Sequence, residues 1–206
     1  MFPEIKHFVR QSWLLLVTSF CFGILIAATN SALAPTIKQN KINKLNELMS
    51  GLVPEAARFE LVGQFEVITA KGAKATSNIY KGLSKSGDSI CYSFNGQGSG
   101  FADKIELVAA VDKNFRQIAG FDCLSSNETP GFGDRIKPLL WRRQFAGAPA
   151  VKLKLVKTGD PEKIDNEIVA VTGATVSSQA VVNIINNYLM QIKEQMQEKG
   201  LISNGQ

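Results

Sequence analysis

The stretch TGATVSSQAVVNIINNYLMQIKEQMQEKG, residues 172–200, decides the fold. Within it Val181, Ile184, Ile185, Tyr188, Leu189, Ile192 and Met196 recur at steps of three and four. That is the period of a helix with one apolar face. The spacing predicts a helix over residues 177–199, with Gly200 as its C-terminal cap. An apolar stripe of this length must be covered by another layer, and the text upstream supplies one. KIELVAAV (104–111) and QIAGFDCL (117–124) flank the turn residues Asp112 to Phe115, which predicts an antiparallel hairpin. Strand-like text also lies at 59–69, 89–94 and 150–157. Strands followed by one long helix packed on them give an α+β domain.

Ahead of this domain the chain changes character. No residue between Arg10 and Lys38 is charged, and residues 13–33 read WLLLVTSFCFGILIAATNSAL. About 20 apolar residues span the hydrocarbon of a bilayer. Trp13 stands where an indole suits the interface, and Lys6 and Arg10 precede the span. The positive-inside rule then puts the N-terminus in the cytoplasm and the rest outside it. A cleaved signal peptide is the competing reading, since Ala32, Leu33 and Ala34 resemble a small-residue cleavage site. Either way the remainder is exported. A buried soluble helix would not be apolar on every face.

Pro35 is expected to end the apolar helix or to start the next element. In TIKQNKINKLNELM (36–49), Ile37, Ile42, Leu45, Leu48 and Met49 keep helical spacing, so an amphipathic connector is expected, closed by Gly51 and Pro54. The chain thus divides into a tail at 1–10, an anchor at 11–34, a connector at 35–58 and a domain at 59–206.

Composition narrows the function. The 206 residues are 45% apolar and 20% charged, enough to build a core. The net charge of +5 comes from scattered Lys and Arg, with no basic block interleaved with aromatics. Nucleic acid is therefore not an expected partner. The cysteines stand at 21, 91 and 123, and the one histidine is His7. No ligand spacing for zinc or an iron–sulfur cluster is present, so no metal site is expected.

Three motifs hold the chemistry. GQGSGF (96–101) brings three glycines close together, as where backbone approaches a neighbour, though a plain surface loop reads the same. NETPGFG (127–133) puts Pro130 and Gly131 at the centre of a type II turn, with Glu128 and Thr129 ahead of it. TGATVSS (172–178) sits directly before the helix. Its small residues permit close packing, and a helix start offers unpaired N–H groups that suit a phosphate. The plainer alternative is helix capping by Thr175, Ser177 or Ser178.

Taken together, ETPGFGDRI (128–136), Gln144-Phe145, TGAT (172–175) and the SSQAVV after it resemble the FMN-binding subunits called G of Rnf complexes and C of sodium-pumping NADH:quinone reductases. The single N-terminal span and GQGSGF match as well, and the short length is nearer the Rnf member. The resemblance implies FMN joined through its phosphate to Thr175, installed outside the cytoplasm by a flavin transferase. It implies an electron-carrier subunit with no catalytic residues of its own. This subunit sits in the cytoplasmic membrane beside the other membrane subunits of a complex that couples ferredoxin and NAD to ion movement. Residues 59–206 would be the FMN-binding domain. Cofactor contacts are expected from Thr172, Gly173, Ala174 and Val176, from Glu128, Thr129, Pro130 and Gly131, and from Gly98 and Gly100, with the two loops bordering the ring. Trp141 would either stack on the ring or fill the core. The family usually has an acid three positions before the first hydroxyl residue of its TGAT-like motif, and here Val169 stands there. Two further readings stay open. One is the quinone-reductase counterpart. The other is an exported scaffold without flavin. Cys91 and Cys123 either form a disulfide in the exported domain or remain buried thiols.

Overall fold

The computed structural model describes residues 2–70 and 72–202, with side chains from Ser12 onwards. The side chains of Lys6 and Arg10, on which the orientation rests, lie outside the described residues. Two compact units divide the chain between Asn43 and Lys44.

Helix α1 runs from Phe2 to Leu52 and contains Pro35. The break expected at Pro35 does not occur. Proline removes one helical N–H bond and crowds the preceding turn, at about 3 kcal/mol. The runs on both sides favour helix strongly enough to continue through it. Within the first unit the segment from Ser12 is long and apolar enough to cross a membrane. Its large apolar side chains, from Trp13 through Leu33, are exposed on all sides. That is the pattern of a lipid-facing helix and excludes a soluble core helix.

The second unit opens with the end of α1. Five strands follow: β1 (Arg58–Ile68), β2 (Lys74–Leu83), β3 (Ser89–Ser99), β4 (Lys104–Asp112) and β5 (Ile118–Ser126). They form an antiparallel sheet in sequence order. The hairpin expected at 104–124 is β4 and β5, with Val111 opposite Ile118. Strand β2 was not expected. Its text, KATSNIYKGL, hides its inward face because Ser77 occupies a fully buried position, with Oγ donating to the Asn95 carbonyl at 2.6 Å. The expected strand at 150–157 shrinks to β6 (Lys154–Val156), which pairs in parallel with β7 (Glu167–Val169). Between β5 and β6 lie a 3-10 turn at Gly133–Ile136 and a short helix α2 (Leu139–Arg142).

Helix α3 (Thr175–Glu198) lies across one face of the sheet. Ile105, Leu107, Ala109 and Val111 of β4 meet Val181, Ile185, Tyr188, Leu189, Ile192 and Met196 there. Each large side chain so buried stabilises the fold by roughly 1.5–3 kcal/mol. On the other face Val108 and Leu124 pack under Leu45 and Met49. The second half of the expected connector is therefore part of the domain, while Ile37 and Ile42 remain exposed. Gly200 takes φ +67 directly after α3, as a C-terminal cap requires.

Each sheet edge is covered at one end. Along β1 the Ile68 N–H donates to Gln191 Oε1 at 2.9 Å, and the Ile68 carbonyl accepts from Asn187 Nδ2 at 2.6 Å. Gln195 Nε2 donates to the Glu66 carbonyl at 2.7 Å. Along β5 the Ile118 N–H donates to Ala148 and its carbonyl accepts from Gly147, each at 2.8 Å.

Cys91 and Cys123 are free thiols, so the disulfide alternative falls. Cys91 on β3 faces Asp112 of β4, whereas Cys123 on β5 faces Leu107. Five residues of β4 separate these positions, about 17 Å along the strand, whereas a disulfide needs Cα atoms within about 7 Å.

Candidate functional site

The residues before α3 turn sharply. The Ala174 N–H donates to the Val171 carbonyl at 2.9 Å, and Gly173 has φ +81, so a type II turn delivers the chain into the helix. Thr175 is the first helical residue and is exposed. Ala174 at the N-cap offers no side-chain acceptor. The capping alternative does not hold for the neighbouring hydroxyls either. Ser178 Oγ accepts from the Val171 N–H at 3.2 Å and donates to the Ala174 carbonyl at 2.9 Å. Ser177 Oγ donates to Glu128 Oε2. The first N–H groups of a 24-residue helix therefore stand without a side-chain cap beside an exposed hydroxyl.

The second motif forms the turn its residues predict. The Phe132 N–H donates to the Thr129 carbonyl at 3.2 Å, and Gly131 has φ +77. Thr129, Pro130 and Gly131 are exposed, but Glu128 is only 4% exposed. Its Oε1 accepts from the N–H groups of Ala102 and Asp103 at 3.1 and 3.3 Å. Burial alone would raise its pKa. The hydrogen bonds from Ser177 and from the backbone of Asp103, Ala102 and Phe101 outweigh that and hold it below the ordinary carboxylate value.

The first motif is not a loop. Gly96 to Ser99 continue β3, with Gly98 opposite Ile105, and only 100–103 turn. A Cβ on Gly98 would stand 2.6 Å from Ile184 Cγ1, so that glycine admits α3 against the sheet. A Cβ on Gly100 would collide with Glu128 Oε1, so this second glycine makes room for the carboxylate. Sequence alone does not separate glycines kept for a helix from glycines kept for a ligand.

A cleft of about 510 Å³ adjoins Thr175, within the ~300–1,000 Å³ typical of cofactor sites. Of the expected residues it brings together Thr175, Gly173, Ala174, Val176 and Thr129. Glu128 lies buried beside it, bonded to Ser177, which is part of the lining. Thr172, Pro130 and Gly131 are not part of the lining, and Gly98 faces a different groove, with Tyr188. The remaining walls are Phe101, Phe132 and Gly133, none of them singled out as a contact, although Phe101 ends the GQGSGF segment expected to border the ring. Their one signal in the sequence is an aromatic residue next to each glycine motif. Trp141 fills the core: its Nε1 donates to the Val169 carbonyl at 2.8 Å and its ring meets Phe121 and Phe145 edge to face. An exposed hydroxyl, uncapped helix N–H groups and an adjoining cleft with apolar walls fit a flat aromatic group that carries a phosphate.

Residues 100–190 match the FMN-binding domain family. The chain is 32% identical over 178 residues to the subunit called G of the proton-translocating ferredoxin:NAD(+) oxidoreductase complex of Clostridium ljungdahlii, covering 86% of this chain and 88% of that one. It is 29% identical over 190 residues to the subunit called G of the ion-translocating oxidoreductase complex of Methanosarcina acetivorans, covering 92% and 97%. In fold it is similar to the crystal structure of Shewanella oneidensis NqrC, with a TM-score of 0.57 at 22% identity over 71% of this chain and 73% of that one.

Proposed function

The chain belongs to the family of subunits called G in ion-translocating oxidoreductase complexes, and on that premise we propose that it relays electrons through one FMN joined by its phosphate to Thr175. The complex it serves is an ion-translocating ferredoxin:NAD oxidoreductase, and the chain turns over no substrate of its own. One observation carries the site: the Thr175 hydroxyl stands exposed at an uncapped helix start, beside a cleft inside the matched residues. The bound isoalloxazine supplies the redox chemistry, and the chain holds and orients it. A phosphodiester keeps one negative charge, which an exposed helix start stabilises by ~0.3–1 kcal/mol. Covalent attachment keeps the cofactor in a compartment without an FMN supply, and a separate flavin transferase installs it there. Helix α1 is the single membrane span, with residues 1–10 in the cytoplasm and the FMN-binding domain outside. The other membrane subunits of the complex are its partners.

The quinone-reductase counterpart has less behind it, since likeness to NqrC at 22% identity speaks for the fold. The flavin-free scaffold rests on Val169 alone. Mass spectrometry of the peptide containing Thr175 tests the proposal. The expected result is one FMN phosphate mass on Thr175, and Thr175→Ala should abolish flavin fluorescence in a denaturing gel. Fluorescence that persists and maps to Thr172 or Ser177 overturns the assignment.

A further inference from the structure

Resting on the reading of Thr175 as the FMN carrier, we propose that Phe101 and Phe132 are the two walls of the isoalloxazine seat and that Glu128 is the positioning residue that spaces them. Phe101 is 71% exposed and Phe132 64% exposed, yet both line the cleft that adjoins Thr175. Neither ring packs on another aromatic ring among the described residues. Val176, itself 56% exposed, gives that cleft a third apolar surface. Large apolar side chains left bare around one cleft suit a flat conjugated ring, which gains from face and edge contacts with aromatics.

The two phenylalanines are tied to one buried group. Phe101 is flanked by Gly100 and by Ala102, whose N–H donates to Glu128. Phe132 is followed by Gly133, where a Cβ would stand 2.5 Å from Glu128 Oε2, and a Cβ on Gly100 would strike the other oxygen. Two glycines beside two phenylalanines thus close around the same carboxylate. Ser177 bonds that carboxylate two residues beyond Thr175. The hairpin tip, the Pro130-Gly131 turn and the start of α3 are held at fixed separations through Glu128. Were the three free to move, the walls would not keep the width of one ring.

The test uses the full-length flavinylated protein in detergent. FMN content is read from absorbance after denaturation. Native flavin fluorescence and its quenching by iodide are then compared at equal FMN content. Rings packed against the flavin shield it from iodide, so Phe101→Ala and Phe132→Ala should each raise iodide access several-fold. Glu128→Gln should do the same with both rings intact, and the exposed control Leu139→Ala should not change it. Should an alanine variant take up less FMN, the matching Phe→Trp variant decides. Restored content with quenched emission supports the seat, and unquenched emission overturns it. Iodide access equal to the unsubstituted protein in both alanine variants overturns the proposal. So does an unchanged flavin combined with lost co-purification of neighbouring subunits, which assigns the rings to protein docking. An unsubstituted protein without flavin overturns the reading beneath it instead.

Discussion

Ser177, in the first turn of α3, donates a hydrogen bond to the buried carboxylate of Glu128, and so ties the helix start to the Pro130-Gly131 turn. The other oxygen of that carboxylate holds the β3–β4 hairpin tip. Three segments distant in sequence meet on one side chain.

Glu128→Gln should lower stability by about 1.5–3 kcal/mol, the range for one charged hydrogen bond, read by chemical denaturation. The pH dependence follows from the direction of the shift. The folded pKa lies below the ordinary value of 4.5, so the unfolded chain binds the proton first. The stabilisation is full above that value and is lost as pH falls through the folded pKa. The unsubstituted protein should therefore lose more stability below about pH 4.5 than Glu128→Gln does. Parallel profiles for the two would remove Glu128 from the account.

Gly98→Ala should destabilise by about 1–3 kcal/mol, the usual cost of overpacking, because its Cβ would enter the Ile184 side chain. Ile184→Val in the same chain should recover part of the loss. A thermal shift near zero for Gly98→Ala would mean that α3 lifts there without cost.

All three cysteines should titrate as free thiols in the unfolded, unreduced protein. In the native domain Cys91 and Cys123 should react slowly at about pH 8, below even the ordinary thiol pKa. Burial pushes each up to about 11, and the Asp122 charge adds to the effect at Cys123. From the ordinary 9.0 that lowers the thiolate fraction about a hundred-fold. A count of one thiol would restore the disulfide.

A C-terminal phosphatase fusion should be active and a cytosol-type fluorescent protein at the same place dark if the domain lies outside the cytoplasm, as the proposed topology requires. The reverse pattern would invert the chain in the membrane.

Val169→Asp should speed flavin incorporation at limiting transferase. Val169 lies in β7, where its N–H donates to Gln144 Oε1 at 2.9 Å and its carbonyl accepts from Trp141. That extended segment leads directly into the turn before Thr175. A charged hydrogen bond to the docking enzyme is worth ~1.5–3 kcal/mol, roughly ten- to a hundred-fold in efficiency. Equal time courses for the two chains would show that position 169 is not read.

Helix α3, the β4–β5 hairpin, the Pro130-Gly131 turn and the apolar span were legible because each follows from local period or from a glycine needing positive φ. What stayed hidden depends on partners far along the chain. Ser77 reads as polar, yet it sits at 0% exposure because the Asn95 carbonyl takes its proton in a hydrogen bond. Glu128 reads as a surface carboxylate until residues 102 and 177 are brought to it. Gly98 and Gly100 read as one flexible loop, although one serves Ile184 and the other Glu128. β7 is too short to show a period, and its parallel pairing with β6 spans a connection that no local signal predicts.

The amide side chains of Asn187, Gln191 and Gln195 have one more effect. A helix that rests on a sheet through apolar contacts alone can creep along its axis, because such contacts are forgiving over a fraction of a turn. Hydrogen bonds to the carbonyls of Glu66 and Ile68 are not. They index the helix against the sheet border as teeth index a rack. Thr175 lies twelve residues from Asn187, about 18 Å at the helical rise. The height at which its hydroxyl emerges is thus gauged from the far margin of the sheet. Loosening that margin, with no change near the cleft, would let the attachment point drift relative to the turns around it.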